Sequence, residues 1–138
     1  MNFSYISKKA KIHTSVKIGP YCVIGDNIEI GENCVLHSHI SLLGNTKIGK
    51  NNIFYPFSSI GSAPQDLKYK GEKSFLTIGN NNTFRENVTV NPGTEGGGLY
   101  TKIKDNCLFM VGAHIAHDCM IGSNTILANN ATLAGHVE

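Results

Sequence analysis

Large apolar residues recur at every sixth position, from Ile6 through Ile12, Ile18, Ile24, Ile30, Leu36, Leu42, Ile48 and Phe54 to Ile60. The beat returns at Ile78, Phe84 and Val90, and again from Ile103 through Phe109, Ile115, Ile121 and Leu127 to Leu133. A helix repeats roughly every 3.6 residues and a strand every 2, so a period of six belongs to neither and describes a superstructure. Repeats of this kind predict an all-β fold, a parallel β-helix built of hexapeptide repeats. Each hexad supplies a short strand and a corner, three hexads close one triangular coil, and stacked coils hydrogen-bond about 4.8 Å apart into a prism.

The rest of the hexad fits this frame. Polar turn formers follow the apolar residue by two and three positions, as in Asp26-Asn27, Lys50-Asn51, Asn80-Asn81, Asp105-Asn106 and Asn129-Asn130, and Asn tolerates the positive φ that such corners demand. Cys22, Cys34, Cys107 and Cys119 each stand four residues after a large apolar position, a column held elsewhere by small residues such as Ala10, Ser58, Ala113 and Ala131. They are expected inside, as small hydrophobes. Cysteines twelve apart fall on different faces of a coil, which disfavours a disulfide and a zinc site alike.

Residues 1–138 read as one domain, with two segments that leave the frame: residues 62–77 and residues 91–102. Long insertions into a regular repeat are usually functional or disordered. The second contains Gly96-Gly97-Gly98 but lacks the spacing and the lysine of a phosphate loop, so it reads as a flexible flap, with direct phosphate contact as the alternative. The beat is still running at Leu133 with no polar cap, and the chain is expected to be part of something longer. The formal charge of +2 is too small to argue for a nucleic-acid partner. No apolar run reaches the ~18 residues of a membrane span and the N-terminus lacks a signal-peptide core, so the expected location is the cytoplasm, with no stable membrane insertion.

Chemistry concentrates in the last two coils. His117 lies two residues after Ile115 and His136 three after Leu133, so the two stack at one corner with backbones roughly 5 Å apart. Asp118 takes the place usually held by Asn; it is either a turn residue or the partner that fixes the His117 tautomer. With every cysteine inside, no nucleophile is placed to form an acyl-enzyme. Direct attack by a substrate hydroxyl or amine, with His117 as general base, is the economical mechanism. Gly135 offers an unhindered N–H to a developing oxyanion, or merely eases a tight corner. His114 and His117, three apart with a third His nearby, keep open a zinc trimer of the carbonic anhydrase kind, but this spacing outside a helix is a weak ligand pattern and no metal is expected.

The run Ala113-His114-Ile115-Ala116-His117-Asp118-Cys119, followed by Ile126 to Val137, resembles the acyl-(acyl-carrier-protein):UDP-N-acetylglucosamine O-acyltransferases, a family that begins lipid A synthesis. The segment Gln65-Asp66-Leu67-Lys68-Tyr69-Lys70-Gly71-Glu72 and Gly93-Thr94 with the glycine triplet match it too. The resemblance spans the chain and implies its N-terminal half, without the family's helical C-terminal domain. It implies a left-handed β-helix, an exception to the right-handed crossover rule, and a homotrimer with sites between subunits. By the same likeness, a 3-hydroxyacyl group passes from acyl carrier protein to the 3-hydroxyl of UDP-N-acetylglucosamine, without a cofactor. His117 then resembles the general base, Asp118 its orienting partner and Gly135 the oxyanion donor. Gln65, Asp66, Lys68, His114 and His136 resemble substrate-contacting residues. Asn91-Pro92 stands where many members have His-Arg, which leaves room for N-acylation of a 3-amino UDP-sugar or a related lipid A intermediate. An inactive truncated scaffold is the non-enzymatic alternative.

Overall fold

Short strands, most of them of two residues, alternate with corners from Tyr5–Ile6 to Thr132–Leu133 in a computed structural model that describes residues 3–138; Met1 and Asn2 of the expected domain lie outside the described residues. Each sixth-position apolar residue is the last residue of a strand, the point at which its side chain turns inward. No strand pairs with its neighbour in sequence. Each pairs in parallel with the third strand on, which gives three sheets of seven, six and six strands. The register stacks like on like up the inside: Leu42 on Ile60, Ile60 on Val90, Val90 on Ile115 in the first sheet, and Ile48, Ile78 and Ile103 in the second. In the third sheet Phe54, Phe84 and Phe109 are fully buried, with ring centroids 4.7 and 5.0 Å apart. Burial of a side chain of this size stabilises by about 1.5–3 kcal/mol, an upper figure because unfolded chains already hide some surface.

The corners follow the backbone rule that the sequence suggested. The third residue after the apolar position takes a left-handed φ at most corners, near 60° at Asn33, Asn51, Asn81 and Asn106, but not at Asn27, whose corner was expected to need one. Asp118 (61°) and His136 (65°) occupy the same position. Where coils touch most closely, only glycine fits: a Cβ on Gly49 would come within 2.6 Å of the Gly79 carbonyl oxygen in the next coil.

All four cysteines are buried and free. Their thiols reach carbonyls of the following coil, Cys34 to Gly49 at 3.1 Å and Cys119 to Ala134 at 3.2 Å. The column they share holds more than small residues, however. Asn52 and Asn82 lie in it, both fully buried. Asn82 donates its N–H to Asn52 Oδ1 and its Nδ2 to the Lys104 carbonyl, and its Oδ1 accepts the Cys107 N–H. This amide ladder replaces apolar packing with satisfied hydrogen bonds where the excursions lengthen the coils.

The expected bounds of the two excursions need correction. The chain is back in the second sheet by Phe75 and Tyr100, so 75–77 and 100–102 belong to strands rather than loops. The reason is register: second-sheet strands here are four residues long, pairing Asn45–Ile48 with Phe75–Ile78 and that strand with Tyr100–Ile103. Thr46, Leu76 and Thr101 thereby turn inward ahead of the apolar residue that marks the hexad. Both excursions leave after first-sheet strands, at Ile60 and Val90, and so both spring from the corner between the first and second sheets. His117-Asp118 occupies that corner one coil on, and Gly135-His136 one coil beyond. Among the described residues no helix is long and apolar enough to cross a membrane.

Candidate active site

Four stacked turns of one corner, two of them extended into excursions, bring the site together. Asp118 lies at its centre with its side chain fully buried. The left-handed turn at Asp118 folds its carboxylate back on the preceding residue, so Oδ2 lies 2.8 Å from His117 Nδ1. The backbone N–H of Asp118 donates to Thr101 Oγ1 at 2.9 Å. From the second excursion the Thr94 N–H donates to Oδ1 at 2.7 Å, and the Thr94 hydroxyl donates to Oδ2 at 2.5 Å. Burial alone would raise this carboxyl's pKa; the Thr94 hydroxyl and amide and then His117 outweigh it, and the group is held below the usual carboxylate range.

His117 is fixed from three sides. Asp118 takes Nδ1, the ring of His136 meets it edge-on at a centroid distance of 5.0 Å, and the His136 N–H donates to the His117 carbonyl. Gly135 is stacked beneath the imidazole: a Cβ there would come within 2.5 Å of Nε2. The direct neighbour of His117 in the next coil is thus Gly135, and His136 shares the column of Asp118. Nε2 is left pointing at Asp66 Oδ2, 3.9 Å away on the first excursion. His114, facing outward from the first sheet, holds its Nδ1 2.6 Å from Thr89 Oγ1. Burial, with the nearby His117 second, pushes the His114 imidazole below its ordinary value.

The excursions are tied to each other as well as to the prism. Asp66 Oδ1 accepts the Lys68 N–H, which closes a tight turn. Glu72 accepts the Lys70 N–H on one oxygen and the Glu95 N–H on the other, joining the first excursion to the second. Those two bonds, Glu95 first, lower the Glu72 carboxyl. The glycine triplet is therefore no free flap: Glu95–Gly97 forms a 3-10 turn, and Gly97 lies against the Asp118 carboxylate with no room for a Cβ.

A cavity of about 350 Å³ opens beside this arrangement, lined by Gln65, Asp66, Asn91, His114, Ala116, His117, Thr132, Leu133 and Ala134. An adjoining one, of about 360 Å³, has Asp66, Lys68, Glu72, Thr94, Glu95, Gly96 and His136 in its wall. The eight residues singled out from the sequence thus meet at one corner. Thr94, Gly97 and Glu72 lie in segments whose likeness to the family was noted without a role for these residues, and Thr101 was not singled out at all; what they supply is contacts to, or support for, a buried Asp where Asn is usual. Asn91 donates Nδ2 to the Ser62 carbonyl, while its buried Oδ1 meets no donor among the described residues. His117, Asp118 and His136 offer three ligand atoms within 4.8 Å of one another. A metal ion there would have to displace the Thr94 and His117 hydrogen bonds to Asp118.

The arrangement can take a proton. A charged Asp118 fixes the hydrogen of His117 on Nδ1, which leaves the Nε2 lone pair free in the gap before Asp66.

Residues 9–40 and 100–135 match the bacterial transferase hexapeptide family of six repeats. Over 133 residues the chain is 52% identical to an acyl-(acyl-carrier-protein)–UDP-N-acetylglucosamine O-acyltransferase of Thermodesulfovibrio yellowstonii, covering 96% of the chain and 52% of that relative. A solved UDP-N-acetylglucosamine acyltransferase superposes with a TM-score of 0.97 at 51% identity, covering 99% of this chain and 52% of that one. The corresponding enzyme of Francisella novicida gives 0.96 at 44% identity, with 99% and 50% covered. The chain spans about half the length of these relatives. The architecture shared with them is the left-handed parallel β-helix.

Proposed function

We propose, for a chain that is a relative of the acyl-(acyl-carrier-protein)–UDP-N-acetylglucosamine O-acyltransferases over nearly all of its own length, that the protein moves an acyl group from acyl carrier protein to the 3-hydroxyl of UDP-N-acetylglucosamine. In this reading the acyl group is a 3-hydroxyacyl chain. The observation that carries it is His117 Nε2, aimed into a cavity opposite Asp66 while Nδ1 is held by Asp118.

The 3.9 Å between His117 Nε2 and Asp66 Oδ2 leaves room for a hydroxyl to bridge the two. As its oxygen attacks the acyl carbonyl carbon, its proton passes to Nε2, and Asp118 stabilises the imidazolium that forms. Gly135, stacked under the His117 imidazole, is the donor to the oxyanion of the tetrahedral intermediate through its backbone N–H. Collapse expels the carrier's leaving group, and His117 returns the proton to it. A base so placed contributes about 10²–10⁴-fold. His114, whose pKa burial lowers, together with Gln65, Lys68 and His136 surrounds the sugar nucleotide.

Exposed apolar side chains support assembly into a homotrimer. Phe3, Tyr21, His39 and Phe57 stack along one outer corner, and Leu67 at the tip of the first excursion is 96% exposed. Such a tip suits insertion into a neighbouring subunit, which would complete the cleft.

The reading is tested with the full-length gene product. His117→Ala is expected to lose at least a hundredfold in turnover with its melting temperature within a few degrees of wild type. Undiminished turnover would refute the assignment of His117.

A further inference from the structure

We propose that Thr94 is a positioning residue for the acyl transfer: through its amide and hydroxyl it clamps the Asp118 carboxylate, and with it the ring of His117, from an excursion 24 residues earlier in the chain. The inference rests on the reading of His117 as the base.

Asp118 has little else to hold it. It projects from a left-handed corner, and of the donors on its two oxygens only His117 comes from its own turn. Thr94 engages both oxygens at once, a two-point contact that fixes the plane of the carboxylate where a single bond would leave it free to rotate. With that plane fixed, Oδ2 faces His117 Nδ1 and the imidazole has one orientation. Thr94 is only 4% exposed, and although it forms part of a cavity wall its hydroxyl and amide are both spent on Asp118, through which it acts. Gly97, three residues on, explains one glycine of the triplet: it lies against the same carboxylate, and any side chain there would lift the turn that carries Thr94. Glu72 anchors the other side of that turn by accepting the Glu95 N–H, so the first excursion braces the clamp.

The titratable groups facing Asp118 are His117 and His136 from its own corner, Cys119 next in sequence, and Glu72 across the excursions. Replacing the Thr94 hydroxyl by a methyl removes a large influence opposing burial, so Asp118 takes up a proton at higher pH. The acid limb of the activity profile moves upward with it.

The test is the pH profile of kcat/KM for full-length wild type, Thr94→Val, Thr94→Ser and Gly97→Ala, each with its melting temperature. Thr94→Val is expected to move the acid limb up by about one pH unit, the size of one lost charge-assisted hydrogen bond, and to lower kcat about tenfold with KM within about threefold. Thr94→Ser, which restores the hydroxyl, keeps the wild-type limb. Gly97→Ala moves it upward with Thr94 intact, so the clamp remains testable even should Thr94→Val fold poorly. An unmoved limb in Thr94→Val and Gly97→Ala, or a Thr94→Ser as impaired as Thr94→Val, overturns the proposal. If His117→Ala retains turnover the underlying reading fails instead, and the two failures are thereby told apart.

Discussion

Gly135→Ala separates two roles that one glycine plays under the His117 ring. Gly135 is not among the residues with positive φ, so alanine meets no backbone penalty there. Its N–H is also retained, so an oxyanion donor would survive the change. What alanine adds is a methyl carbon 2.5 Å from His117 Nε2, against the 3.4 Å at which ordinary contact begins. The imidazole must therefore retreat by about 1 Å, while Asp118, clamped by Thr94, cannot follow. A displacement of about 1 Å at a reacting group costs on the order of 10²-fold in rate. We expect kcat to fall about a hundredfold in steady-state transfer assays on the full-length gene product, with KM changed less than about threefold. The ring lies outside the apolar core, so the melting temperature should drop by no more than about 3 °C. A Gly135→Ala enzyme that keeps more than half the wild-type kcat would refute the argument that glycine is required to seat the imidazole.

Three further outcomes follow from the fold and the site. Asn82→Ala strips partners from the buried Cys107 N–H and Lys104 carbonyl, at about 1–3 kcal/mol each; thermal unfolding should show a loss of several kcal/mol, and equality with Asn80→Ala at the outer corner would contradict the ladder. Burial pushes the Cys34 and Cys119 thiols up, so a thiol reagent at neutral pH should label them only on unfolding, and prompt labelling of the native protein would show the column is not interior. Because the Asp118 carboxyl is depressed on folding, its stabilisation is present above the unfolded value near 4 and is lost as pH falls through the lower folded value. The stability gap between wild type and Asp118→Asn should therefore close below about pH 4, and a gap that widens in acid would reverse the sign of the argument.

How far each feature could be read from sequence depends on how local its cause is. Ile24, Phe54 and Ile115 announce the prism because an inward position every six residues tolerates little but a large apolar side chain. Asp118 announced itself by standing in a column of asparagines, beside a histidine one turn from another. Asn52 and Asn82 were hidden for the opposite reason: asparagine reads as a corner residue, and only the stacking of lengthened coils turns these two inward. The return points at Phe75 and Tyr100 depend on pairing with Asn45 and with each other across 30 and 25 residues, a register that no local pattern encodes. Thr94 was illegible on the same ground, because its partner is fixed by how the second excursion folds back.

The activity proposed for this corner is acyl transfer to a sugar hydroxyl. The most direct measurement incubates the full-length gene product with a 3-hydroxyacyl-acyl carrier protein and either UDP-N-acetylglucosamine or its 3-amino analogue, and determines the products by mass spectrometry and alkali lability. We expect a 3-O-ester of UDP-N-acetylglucosamine that mild alkali cleaves; an amide formed solely from the amino analogue, or no acylated sugar nucleotide at all, would refute O-acyl transfer.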